Sequence, residues 1–100
     1  MKHVRITIVA SDPSDVRTWG EVKAVDIAGR PTIAHAVAMH GTGGDTFAAS
    51  AGHYSYHFRV SAKTRLTLST EIDGVSVGPP EEIDATVLTS GHRFGFTVTP

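Results

Sequence analysis

The stretch Gly52-His53-Tyr54-Ser55-Tyr56-His57-Phe58-Arg59-Val60 decides how this chain is read. Tyr54, Tyr56, Phe58 and Val60 fall on one parity; His53, Ser55, His57 and Arg59 fall on the other. A period of two marks a β-strand with one buried face and one wet face. Both tyrosines of the chain and one of its four phenylalanines lie here, which places the centre of the core on this strand.

The flanking sequence repeats the pattern. Val4, Ile6 and Ile8 alternate with His3, Arg5 and Thr7, and a turn cluster, Ser11-Asp12-Pro13-Ser14-Asp15, follows. Strand-like runs over 20–28 and 31–39 are separated by Ala28-Gly29-Arg30-Pro31, where Gly supplies positive φ and Pro fixes its own. In the second run Ile33, Val37 and Met39 share a face with His35, and Ala34, Ala36 and Ala38 share the other. The alanines would suit a helix, but about eight residues between breakers is short for one. Gly41-Thr42-Gly43-Gly44 reads as a loop, with a short run over 45–49 behind it. Beyond the tyrosine strand, Leu66, Leu68 and Ile72 point in while Arg65, Thr67, Ser69 and Glu71 point out. Asp73-Gly74 is a strong turn signal. Gly78-Pro79-Pro80 breaks the chain. Ile83, Ala85 and Val87 lead to Ser90-Gly91-His92, and Phe94, Phe96 and Val98 close it.

The sum is about seven to eight short strands with turn signals at roughly eight- to twelve-residue intervals and no segment that reads as a helix. The architecture implied is all-β, an antiparallel β-sandwich of the immunoglobulin or transthyretin kind. A small closed β-barrel is the alternative, since strand count does not separate the two.

The 100 residues make one domain, 1–100, large enough for a core without staples. There is no cysteine, so disulfides, thiolate chemistry and cysteine-based zinc sites are excluded. Nine basic and ten acidic residues give a formal charge of −1, without the basic excess that nucleic-acid binders use to displace counterions. The N-terminal apolar run is about seven residues long and broken by Thr7, too short for a signal core or a membrane span. A cytoplasmic chain, or a part excised from something larger, with neither nucleic-acid nor membrane partners is the expectation.

Residues 20–60 resemble the carboxypeptidase-regulatory-like and transthyretin-like β-sandwich domains. The resemblance rests on Gly20-Glu21-Val22, Gly29-Arg30-Pro31, Ala36-Val37-Ala38, Gly41-Thr42-Gly43-Gly44-Asp45-Thr46-Phe47 and Gly52-His53-Tyr54-Ser55-Tyr56, in that order. It implies a non-catalytic accessory or interaction module and carries over no functional residues. The other assignment for Tyr54 is the tyrosine corner of an immunoglobulin- or fibronectin-like sandwich, whose hydroxyl ties back to nearby backbone.

No constellation reads as catalytic. Ser50-Ala51-Gly52-His53 and Ser90-Gly91-His92 set serine near histidine, but at turns, where serine is ordinary, and no Gly-x-Ser-x-Gly occurs. Six histidines invite a metal reading. His53 and His57 are the candidates; at about 13 Å apart along a strand they cannot share one ion directly. A site would need His3 or His35 from a neighbouring strand plus a carboxylate, and no metal or other cofactor is expected. Glu81, Glu82 and Asp84 read as a charged edge that blocks sheet-to-sheet association. The Gly41–Asp45 stretch lacks the Gly-Lys-Ser/Thr ending of a phosphate-binding loop. It shares Gly-x-Gly-Gly with the chagasin-type protease inhibitors but not their other two loop signatures.

What remains is a surface function. A non-catalytic interaction, assembly or accessory module is the favoured reading, working through a protein partner or self-association at strand edges or at the loops 11–19 and 41–46. Trp19, Thr42, Gly43, Gly44 and Asp45 are its candidate binding residues. The alternative is a carbohydrate- or small-ligand-binding domain using Trp19 as platform together with loop 41–46, which requires Trp19 to be exposed and flanked by polar side chains.

Overall fold

The computed structural model describes residues 1–11, 16–25, 31–40 and 42–100, the side chains of 31–35, 37–40, 42 and 43 excepted. Its strands are β1 (Lys2–Ala10), β2 (Arg17–Val25), β3 (Pro31–His40), β4 (Thr42–Ala49), β5 (Gly52–Val60), β6 (Arg65–Ile72), β7 (Val75–Ser76), β8 (Glu81–Asp84) and β9 (His92–Val98). They form two antiparallel sheets. One runs β4-β1-β6-β7, with β8 also on β6; the other runs β3-β2-β5-β9. β1 occupies one side of β6 along nearly its whole length, so β7 and β8 share the other side. The two pieces fill one edge position, which makes eight positions in all. Among the described residues no ladder joins the two sheets, so the fold is a sandwich and not a closed barrel. No described helix is long and apolar enough to cross a membrane.

The core follows from alternation. Val4, Ile6 and Ile8 of β1, Phe47 and Ala49 of β4, and Leu66, Leu68 and Ile72 of β6 pack inward from one sheet. Val22 of β2, Tyr54, Tyr56, Phe58 and Val60 of β5, and Phe94 and Val98 of β9 meet them from the other. Each fully buried aliphatic or aromatic side chain contributes roughly 1.5–3 kcal/mol. The tyrosine strand is central: it pairs with β2 on one side and β9 on the other. Tyr54 stacks on Phe96 with ring centroids 5.5 Å apart, and Tyr56 stacks on Phe58 at 4.7 Å.

Tyr54 also fixes the corner where the chain crosses from β4 to β5. Its hydroxyl donates to the Ser50 carbonyl at 2.7 Å, four residues upstream, the tie expected of a tyrosine corner. The Asp73-Gly74 turn takes the form its sequence demands. Both residues have positive φ, 51° and 82°, as a two-residue type I′ hairpin requires. The Asp73 carboxylate further accepts the His3 amide at 2.9 Å, pinning the hairpin to β1.

Four expectations are corrected. The glycine-rich stretch 42–45 is not a loop: it forms the first half of β4, with Thr42, Gly43, Gly44 and Asp45 opposite Val9, Ile8, Thr7 and Ile6. At Gly44 a Cβ would come within 3.1 Å of the Arg5 side chain, so the missing side chain makes room for a neighbour inside a ladder. Trp19 does not precede its strand but lies within β2. The run Ile83, Ala85, Val87 stops early. The Asp84 carboxylate accepts the Thr86 amide at 2.9 Å, an Asx turn that bends the backbone away and leaves Val87 exposed. Finally, the β2–β3 register shifts between Val22 and Lys23. His35, Val37 and Met39 lie opposite Val22, Gly20 and Thr18, but Ile33 lies opposite Lys23, so strict alternation fails at a bulge on an edge strand. The segments 12–15 and 26–30 and Gly41 lie outside the described residues, and with them two of the expected turns.

Candidate functional site

The inward parity of β2 is Thr18, Gly20 and Val22, which leaves Trp19, Glu21 and Lys23 pointing outward. The matching outward residues of β5 are Ser55, His57 and Arg59, and that of β9 is Arg93. Pairing across the sheet sets them in rows. Trp19 stands opposite Arg59, Glu21 opposite His57, and His57 opposite Arg93. Cross-strand neighbours stand about 5 Å apart at Cβ, so these residues form one continuous patch.

This patch is a groove of ≈ 570 Å³, within the range of small-ligand sites. Trp19, Glu21, Lys23, His57, Arg59 and Arg93 supply its side chains; Ala36 of β3 bounds one flank, and Gly91 and His92 the other. Trp19 is 45% exposed, the largest hydrophobic side chain of this face. The floor passes over Gly20 and Phe58, which face each other in the ladder. A Cβ on Gly20 would lie 1.9 Å from the His57 carbonyl oxygen. Glycine therefore permits the close approach of β2 to β5 beneath the groove.

The electrostatics of the groove are cationic. Lys23, Arg59 and Arg93 face Glu21 alone, a net +2 on a chain whose total is −1. His57 registers this field. Partial burial, then the charges of Lys23 and of Arg93, hold its imidazole below the usual value, with Glu21 opposing. His92 is held by structure: its Nε2–H donates to the Leu88 carbonyl at 2.7 Å, and its ring packs 5.7 Å from that of Phe58.

The residues named from sequence are not brought together. Trp19 is in the groove. Thr42, Gly43, Gly44 and Asp45 lie on β4, an edge of the opposite sheet. Asp45 accepts the Thr46 amide. His57 lines the groove, while His53 is exposed further along β5, its Nδ1 3.0 Å from the Thr97 hydroxyl. Among the described residues no three His, Asp or Glu side chains stand close enough to hold a metal ion. The side chain of His35 lies outside the described set. Glu21, Lys23, Arg59 and Arg93 were not singled out from sequence. Their signal is present in the shared parity of Trp19, Glu21 and Lys23, but the pairing of β2 with β5 spans some forty residues and leaves no local mark.

No family model, curated protein or solved structure matches this chain.

Proposed function

We propose that this chain is a non-catalytic β-sandwich binding module that takes its ligand on the outer face of the four-stranded sheet, with Trp19 as the contact platform. The observation that carries this reading is a tryptophan 45% exposed within a strand, at the head of an open groove lined by charged side chains. An aromatic ring on a rigid sheet, ringed by hydrogen-bonding groups, suits ligands that offer one apolar face and several polar substituents. Amide-resolved NMR titration against a panel of saccharides and small aromatic acids tests it. Shifts concentrated on β2, β5 and β9 are expected; shifts confined to β4 or to β7 and β8 contradict it.

A second reading, self-association, is favoured by one feature. The β9 edge carries one exposed charged side chain, Arg93, in seven residues and no proline, whereas the β8 edge carries three, Glu81, Glu82 and Asp84, in four. Edges without such guards pair with other strands. Dimerisation along β9 would extend the face that bears the groove.

A further inference from the structure

Resting on the reading of this face as a binding site, we propose that its ligand is an acidic saccharide: a sugar ring stacks on Trp19, and the carboxylate or sulfate of the adjoining sugar is held between Arg59 and Arg93.

The argument begins from the sign of the groove. Its three basic side chains come from three different strands, Lys23 from β2, Arg59 from β5 and Arg93 from β9. Outside the groove the chain has more acidic than basic residues, so the groove is opposite in sign to the rest of the chain taken together. Arg59 follows His57 by two residues on the same face, and Arg93 stands opposite His57. The two guanidiniums thus flank one point of the sheet diagonally, and each offers a planar fork that matches a carboxylate or sulfate.

The second element is the distance from platform to charge. Trp19 and Arg93 stand two strands and one row apart, about 12 Å from strand spacing and rise. A disaccharide spans that backbone gap, with one ring on Trp19 and the next between Arg59, opposite Trp19, and Arg93. One exposed aromatic serves one ring. A single-stranded nucleic acid would call for successive stacking platforms, and the described lining of this groove offers a single tryptophan and three basic side chains.

A pH response follows from the same geometry. His57 faces Glu21 and Lys23 from β2 and Arg93 from β9, with Arg59 beside it on β5. Protonating His57 adds a fourth cation beneath the acid group. A bound anion favours that protonation, so affinity rises as pH falls through the imidazole range, while a uronate or sulfate stays ionised.

The test titrates the full chain with three disaccharides of one linkage, one bearing a uronate, one bearing a sulfate and one neutral. Fluorescence of Trp19, the single tryptophan, and calorimetry serve as readouts. At least one acidic sugar is expected to bind about tenfold more tightly than the neutral one, and which of the two does so identifies the acid group. Arg93→Gln is expected to abolish that preference without changing the unfolding temperature. His57→Gln is expected to remove the gain at low pH. Equal binding of neutral and acidic sugars overturns the inference and leaves the binding face standing. Absence of any saccharide binding overturns the inference, and the binding face itself falls only if the small aromatic acids also leave β2, β5 and β9 unmoved. Tighter binding of a short single-stranded oligonucleotide than of every sugar overturns the inference in favour of a nucleic-acid ligand.

Discussion

Gly20 is where one methyl group costs most. Its hypothetical Cβ meets the His57 carbonyl oxygen at 1.9 Å and the Phe58 Cα at 2.7 Å, backbone atoms that no rotamer change can move. Gly20→Ala must force β2 and β5 apart at the centre of their ladder, with a loss of about 3 kcal/mol expected in denaturant unfolding. Tyr56 makes the second residue-scale case. It is fully buried, and its hydroxyl shares a hydrogen bond of 3.0 Å with that of Thr18. Tyr56→Phe leaves the Thr18 hydroxyl buried without this partner and is expected to cost about 1–3 kcal/mol. Thr18→Val with Tyr56→Phe removes both groups and is expected to recover most of that loss, so the double-mutant cycle reports a large coupling. Burial raises the Tyr56 pKa above the ordinary phenol value, despite the Thr18 hydrogen bond, which lowers it. Because the folded value lies above the unfolded one, the stabilisation is complete below about pH 10 and is lost as pH rises through the folded value. Thermal unfolding is expected to show an alkaline decline that Tyr56→Phe diminishes.

At the scale of elements, alternation was the legible signal and pairing was not. The parity of Tyr54, Tyr56, Phe58 and Val60 assigned each residue of β5 to its face, and the same logic held for β1 and β6. The Asp73-Gly74 hairpin was legible because its turn chemistry is local. Thr42, Gly43 and Gly44 read as a loop because glycine in a ladder and glycine in a loop look alike until the neighbour is known; for Gly44 the neighbours are the Ile6 carbonyl and the Arg5 side chain, distant in sequence. The bulge facing Val22 and Lys23 was invisible for the same reason. The groove is an element-scale object, since β2, β5 and β9 each contribute one cation that is unremarkable alone. Its sign is measurable without any ligand. With each quenching constant taken relative to that of a free, uncharged tryptophan amide, iodide is expected to quench Trp19 fluorescence more strongly than caesium at equal ionic strength, because the flanking cations concentrate the anion. Arg59→Gln with Arg93→Gln narrows the difference. Equal quenching by the two ions would mean that the charges do not govern access to Trp19.

The whole molecule places its acidic edge and its groove on different sheets. The five-stranded sheet ends in an acidic edge of Glu81, Glu82 and Asp84, with Pro79 and Pro80 before it, a composition that resists pairing. The four-stranded sheet carries the groove and ends in β9, which lacks those guards. Between these two edges, association of copies is favoured along β9. Light scattering behind size exclusion is then expected to show a dimer that Thr97→Pro on β9 converts to monomer, with Glu81 and Glu82 substitutions having no effect. Such a dimer would join two grooves across one continuous sheet, and a saccharide chain rather than a disaccharide would be the fitting ligand. The central claim, however, concerns a single face of a single chain. Amide-resolved titration with the preferred acidic disaccharide tests it most directly. The account predicts saturable shifts at Trp19, Glu21, Lys23, His57, Arg59 and Arg93, lost in Trp19→Ala with the fold intact. Saturable shifts that leave these six residues unmoved would contradict it.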